Sequence, residues 1–166
     1  EGEQRELQKW VRRQRQMYIR ASSTDVGQHV TAGTALATLI GTDRAEVIAD
    51  LSGPEGRAAA VREVIERCDG RLDRLVTCAG LGSSVRPASL IASVNYFGAV
   101  EVLDGLLPAL QQGQDPAAVA IIANSAQMAP LDDSPFVAEM LDADEPEARR
   151  IIDEMDSPVV AYLGSK

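Results

Sequence analysis

Tyr162 and Lys166 stand four residues apart at the C-terminal end of the sequence, in YLGSK. On a helix, positions i and i+4 share a face, so a phenol and an ammonium at this spacing project side by side. A phenol ordinarily ionises near pH ~10, and a cation held against it stabilises the phenolate and draws that pKa towards neutrality. Such a pair can give a proton to, or take one from, an alcohol or carbonyl oxygen. The pair alone has little specificity, because short motifs recur by chance. Its place at the end of an ordered series gives it more. Ser125 lies upstream in the apolar run AVAIIANSAQMA, Asn95 in SVNYFGAVEVL, and before them come RLVTCAG over 74–80 and VIADLS over 47–52.

The elements that position these residues alternate. From about residue 38, TLIGTD and EVIADL read as short strands, each followed by a break. EGRAAAVREVIERC places Ala59, Val61, Val64, Ile65 and Cys68 near helical spacing with charges between, which predicts an amphipathic crossover helix between Pro54 and Cys68. LDRLVTCAG then reads as a buried strand ending in a turn, residues 89–111 as a long helix holding Asn95, and AVAIIANS as a strand apolar throughout, as central parallel strands are. This rhythm predicts an α/β fold with a parallel sheet. Residues 130–158 interrupt it with ten Asp/Glu and two Arg around Phe136, Val137, Met140, Leu141, Ile151, Ile152 and Met155. Two short amphipathic helices are expected there, either as a solvated acidic lid or as an oligomer contact.

Composition sets the outer bounds. Hydrophobic content of 45% and charged content of 25% are those of a globular protein, and 166 residues suffice for one core. The net charge of −9 argues against a nucleic-acid partner, although residues 1–20 carry six Lys/Arg against three Glu. Cys68 and Cys78 have no metal-ligand spacing, and one histidine makes a zinc site a poor expectation, so both read as free thiols in a reducing compartment. No apolar run approaches the roughly 18 residues of a membrane span, and no leader with a cleavage site is seen. The expectation is a cytoplasmic protein with neither membrane nor metal.

The ordered motifs together resemble the short-chain dehydrogenase/reductase family over residues 38–166. In that family a strand ends in an NNAG-like turn, here TCAG, and an Asn on the next helix, a Ser after the following strand and a YxxxK helix complete the site. The resemblance implies a Rossmann-like doubly wound parallel sheet, truncated here after the Tyr/Lys helix begins, with the acidic insert at 130–158 widening the Ser-to-Tyr separation to 37 residues. It implies an NAD(P)-dependent oxidoreductase that interconverts a secondary alcohol, of hydroxysteroid or aromatic alcohol type, and its carbonyl. Tyr162 would be the general acid/base, Lys166 would lower its pKa and hold the nicotinamide ribose, Ser125 would polarise the substrate oxygen, and Asn95 would support a proton-carrying water. Asp43 would accept from the adenosine ribose and favour NAD, while Arg44 beside it could accommodate the phosphate of NADP. Asp50 and Leu51 match the adenine contact, and Cys78, Ala79 and Gly80 the turn passing the adenosine ribose. The bland reading of Asp50 is a helix cap or turn residue. A small alcohol or ketone substrate and a homo-oligomer are further implications.

Residues 1–37 fit this pattern least. ELQKWVRRQRQMYI reads as a basic helix, and the segment that should carry the glycine-rich phosphate turn, RASSTDVG, keeps only Gly27, with Ala21 and Asp25 where glycines belong. VGQHVTAGTALATLI at 26–40 resembles half of a biotinyl/lipoyl-type barrel-sandwich domain without its modifiable lysine. Residues 1–37 are therefore expected to be a divergent or foreign segment. The rival to an active enzyme is a non-catalytic remnant serving as an interaction module.

Overall fold

Apolar runs punctuated by Pro and Gly become short strands and longer helices in chain order. The computed structural model describes residues 35–37, 47–124, 130–131 and 133–166, all within the unit Thr31–Lys166. The basic segment, the RASSTDVG turn, the TLIGTD strand and Ser125 lie outside the described residues. Strand β1 is Ala35–Ala37, β2 Val47–Ala49, β3 Arg74–Thr77 and β4 Ala117–Ala120. Helix α1 is Pro54–Arg67, α2 Ala88–Gln111, α3 Pro135–Leu141, α4 Glu145–Met155 and α5 Pro158–Gly164.

Among the described residues the strands form two pairs. β3 and β4 pair in parallel, with Leu75 opposite Ala118 and Val76 opposite Val119, and α2 is the crossover between them. β1 and β2 pair antiparallel, Leu36 opposite Ile48. This antiparallel pair departs from the all-parallel expectation for a physical reason: a parallel connection needs about a dozen residues or more, and the intervening 38–46 is shorter. The buried central strand also needs correcting. Leu75 is buried against Leu106 and Leu110 of α2, but β4 is exposed along its length and Val76 and Val119 are 55% and 52% exposed. The described residues bring a helix to Leu75 and no layer to the opposite face.

Helix α1 begins at Pro54, whose fixed φ suits the first helical position, after an extended Gly53. It buries Ala60 rather than the expected Ala59, together with Val64, and packs Val61, Ile65 and Cys68 alongside. Helix α2 is long and apolar enough to cross a membrane by length and composition. Its apolar residues are instead divided among three clusters: Ile91 and Phe97 with the insert, Leu90 and Val94 with Leu51, and Leu106 and Leu110 with Leu75. At Ser93–Phe97 the helix widens to a π turn, where the Gly98 N–H donates to the carbonyl five residues back, Ser93 O.

The insert packs its apolar face on the long helix. Phe136, Met140, Ala148 and Ile152 are at most 1% exposed and pack with Ile91, Ala92 and Phe97 of α2 and Ala161 of α5. Most of its acids face out, while Asp153 Oδ1 accepts from Ser89 N of α2 at 2.8 Å, Asp156 pairs with Arg86 just before α2, and Glu145 pairs with Arg57 of α1. Polar and apolar residues of α4 thus separate at helical period, as an amphipathic helix requires. If this packing holds the unit together, Phe136→Ala will lower its stability to urea by ~3–5 kcal/mol, the usual cost of a large core truncation. Leu141→Ala, on the same helix but 70% exposed, should change it by less than ~0.5 kcal/mol.

Candidate functional site

Two loops at the ends of β2 and β3 carry most of the residues singled out in the sequence. Leu51, after β2, and Ala79, after β3, pack in one cluster with Leu90 and Val94 of α2, so the two loops meet on that helix. Asp50 makes a local turn: its Oδ1 accepts from Ser52 N at 2.9 Å and from Ser52 Oγ at 2.6 Å. Its Oδ2 makes no hydrogen bond among the described residues, and the side chain is exposed. Asp50 is therefore a turn residue, as the bland reading expects, with one carboxylate oxygen left over for a ligand donor.

Asn95 sits within the π turn, 5% exposed. Its Oδ1 accepts from Leu81 N at 2.6 Å and its Nδ2 donates to Leu81 O at 3.1 Å. The two bonds satisfy both backbone groups of Leu81 and fix the loop after β3. The amide keeps one N–H and one acceptor position beyond these two bonds. Leu81 was not anticipated, since nothing in its own neighbours marks the partner of a side chain fourteen residues on.

Helix α5 starts with Ser157 as its cap, Oγ accepting from Val160 N at 3.4 Å, followed by Pro158. It ends at Gly164 with Ser165 as C-cap. Lys166, the last residue of the sequence, follows two positions after Gly164. Tyr162 packs its ring against the cluster of Phe97 and Phe136, and its hydroxyl makes no hydrogen bond among the described residues. Lys166 reaches the β3 loop instead. A Cβ built at Gly80 would lie 2.7 Å from Lys166 Nζ and 3.3 Å from Asn95 Oδ1. Only a residue without a side chain allows both to approach there. Burial lowers the Lys166 pKa below the ordinary 10.5, and charge at the exposed Cys78 sulfur works in the opposite direction.

The structure thus brings Cys78, Ala79, Gly80, Asn95 and Lys166 together, and sets Asp50 and Leu51 on the neighbouring loop. Asp43, Arg44 and Ser125 lie outside the described residues. Sequence reasoning missed Arg57, which is completely buried and bonds Leu51 O at 2.9 Å through Nε.

No family model matches the chain. Over 124 residues it is 42% identical to 3-alpha-hydroxysteroid dehydrogenase/carbonyl reductase of Comamonas testosteroni, covering 74% of this chain and 48% of that protein. Over 85 residues it is 38% identical to coniferyl-alcohol dehydrogenase of a Pseudomonas species, covering 46% and 31%. The crystal structure of a Pseudomonas 3-alpha-hydroxysteroid dehydrogenase in complex with NADH matches with a TM-score of 0.71 and 43% identity, over 74% of this chain and 48% of that one. The chain spans less than half the length of the curated relatives it matches.

The approach at Gly80 is testable through the titration of Lys166. In Gly80→Ala the added methyl displaces the flexible ammonium towards water, so the lysine pKa, read by NMR of its side-chain carbon, should rise towards its ordinary value. The sign for stability is set by proton affinity: the unfolded chain binds this proton more tightly than the folded one. Folding stability from this group therefore increases as pH climbs from the folded pKa to the unfolded one, and Gly80→Ala should flatten that alkaline rise.

Proposed function

Since this chain carries part of a short-chain dehydrogenase/reductase Rossmann domain, shared with its relatives over 74% of its length, we propose that it serves an NAD-dependent oxidoreductase. The reaction interconverts a secondary alcohol, of hydroxysteroid or aromatic alcohol type, and its carbonyl. The observation that carries this reading is the convergence of Lys166 and Asn95 on Gly80, beside the loop that holds Asp50 and Leu51. These are the residues expected to hold the two halves of a dinucleotide.

When bound, the nicotinamide supplies or accepts the hydride. The chain's own residues do the rest. In the reducing direction Tyr162 gives its phenolic proton to the carbonyl oxygen as the hydride reaches the carbonyl carbon, and in oxidation it takes the alcohol proton back. Lys166 favours the tyrosinate electrostatically and donates to the nicotinamide ribose. Its lowered pKa means that it can also lose a proton more readily than an ordinary lysine. Ser125 donates to the substrate oxygen and orients the carbonyl. Asn95 fixes the loop that Lys166 approaches and, with its remaining N–H, supports a proton-carrying water. Asp50 presents its unbonded oxygen to the adenine, and Asp43 accepts from the adenosine ribose and favours NAD over NADP, with Arg44 beside it. The setting is cytoplasmic, the substrate a small molecule, and the assembly a homo-oligomer.

The second reading is a non-catalytic remnant acting as an interaction module, and it is supported by Ala21 and Asp25 standing where the phosphate turn has glycines. A thermal-shift titration with NADH separates the two. Under the enzymatic reading a hundredfold excess over Kd raises apparent stability by about 2.7 kcal/mol, and Tyr162→Phe leaves this rise intact while lowering NAD-linked alcohol oxidation by roughly 100-fold or more. No rise with NADH assigns the chain to the remnant class.

A further inference from the structure

The turn Asp50–Ser52 is held by its backbone carbonyls from two directions. The Asp50 carbonyl lies against the first turn of α1, where a Cβ on Gly56 would come within 1.9 Å of it. The Leu51 carbonyl accepts from Arg57 Nε at 2.9 Å, and the Ser52 carbonyl stands 3.5 Å from Arg149 Nη1. With the backbone gripped in this way, the Asp50 carboxylate is left on the outside.

Both arginines converge on one residue of the insert. Glu145, the first residue of α4, accepts from Arg57 Nη2 at 2.6 and 2.8 Å through its two oxygens, and its Oε1 is 3.7 Å from Arg149 Nη1. Arg149 also donates to Ser93 Oγ of the π turn at 2.9 Å. Arg57 has no access to water, so its charge is balanced by Glu145, 12% exposed, and by Glu101 on α2, 41% exposed. Glu145 is the less solvated partner and the one shared with Arg149. If its charge is lost, the guanidinium is drawn towards Glu101 and its bond to Leu51 O lengthens, because hydrogen bonds weaken steeply with distance and angle.

We propose that Glu145 is a positioning residue for the nucleotide: through Arg57 and Arg149 it fixes the Asp50–Ser52 turn, so the acidic insert sets affinity for the adenosine half of the dinucleotide. This rests on the cofactor reading above. It gives the insert a task on the cofactor side of the site, separate from any contact with substrate.

The experiment measures binding of NADH and of reduced nicotinamide mononucleotide, which lacks the adenosine, to the chain and to Glu145→Gln, Arg149→Ala and Arg149→Lys. Hydrogen exchange at the Ser52 amide, which bonds Asp50, is monitored in parallel. Glu145→Gln and Arg149→Ala should each bind NADH about tenfold more weakly, the scale of one charged hydrogen bond, with mononucleotide affinity unchanged and Ser52 exchange faster. Arg149→Lys, which keeps a donor, should recover part of the loss. Should Glu145→Gln fail to fold, the half-exposed Arg149 variants decide. Unchanged NADH affinity and Ser52 exchange in Arg149→Ala overturn the proposal, as do equal losses for both ligands, which mean general loosening. If the parent chain binds no NADH, the cofactor reading fails and Ser52 exchange alone decides the coupling: faster in Arg149→Ala upholds it, unchanged refutes it.

Discussion

The buried guanidinium of Arg57 is the constraint around which the described structure is organised. An ion held away from water costs several kcal/mol unless other groups replace its hydration. Arg57 therefore requires every element around it at once: Leu51 O from the loop after β2, Glu101 and the Phe97 ring from α2, and Glu145 from α4. The Arg57 carbon lies 5.9 Å from the Phe97 ring centre, so the cation also meets a π face. These partners come from three separate stretches of the chain. A charge that tolerates only the complete set links the crossover helix, the long helix and the insert more specifically than apolar contact alone could.

The long helix α2 turns that linkage into a site. It contributes to three apolar clusters, and at its middle the π turn presents Asn95 to the β3 loop and Ser93 to Arg149. A widened turn rotates the side chains of the next helical turn about the axis, and such turns concentrate at functional places in proteins. Here the rotation lets one helix serve two neighbours. Asn95 holds Leu81, Leu81 packs in both clusters beside it, and Gly80 next door leaves room for the Lys166 ammonium. The lysine's altered basicity is thus traceable through these contacts to the packing of α2.

Much of this was legible in the sequence where a pattern is local. The crossover helix and the long helix around Asn95 fall within a residue or two of expectation, and the two short helices expected in the insert are both present. What was not legible depends on distant partners. Arg57 in EGRAAAVREV looks like one more surface charge beside Arg62 and Glu63, because Glu101 and Glu145, which balance its buried charge, lie far along the chain. The close packing of Gly164 against Phe136 and Val137 of α3 was hidden for the same reason, since the local sequence does not announce that contact. The exposure of β4 was hidden because an apolar run has no mark for whether its covering layer is present.

The site and the sheet rest on different contacts. The placement of Asn95, Gly80, Lys166 and the Asp50 turn depends on helices packed against one another and on the buried arginine. None of those contacts requires β2 and β3 to be joined by a strand between them. The sheet, by contrast, gains its stability from strands side by side with both faces covered, and β3 and β4 have one pairing and one covered position among the described residues. Helical packing can therefore fix the geometry of these site residues independently of the strand pairing. Binding of the pyrophosphate cannot be fixed in the same way, since it relies on backbone N–H groups at a strand-to-helix turn.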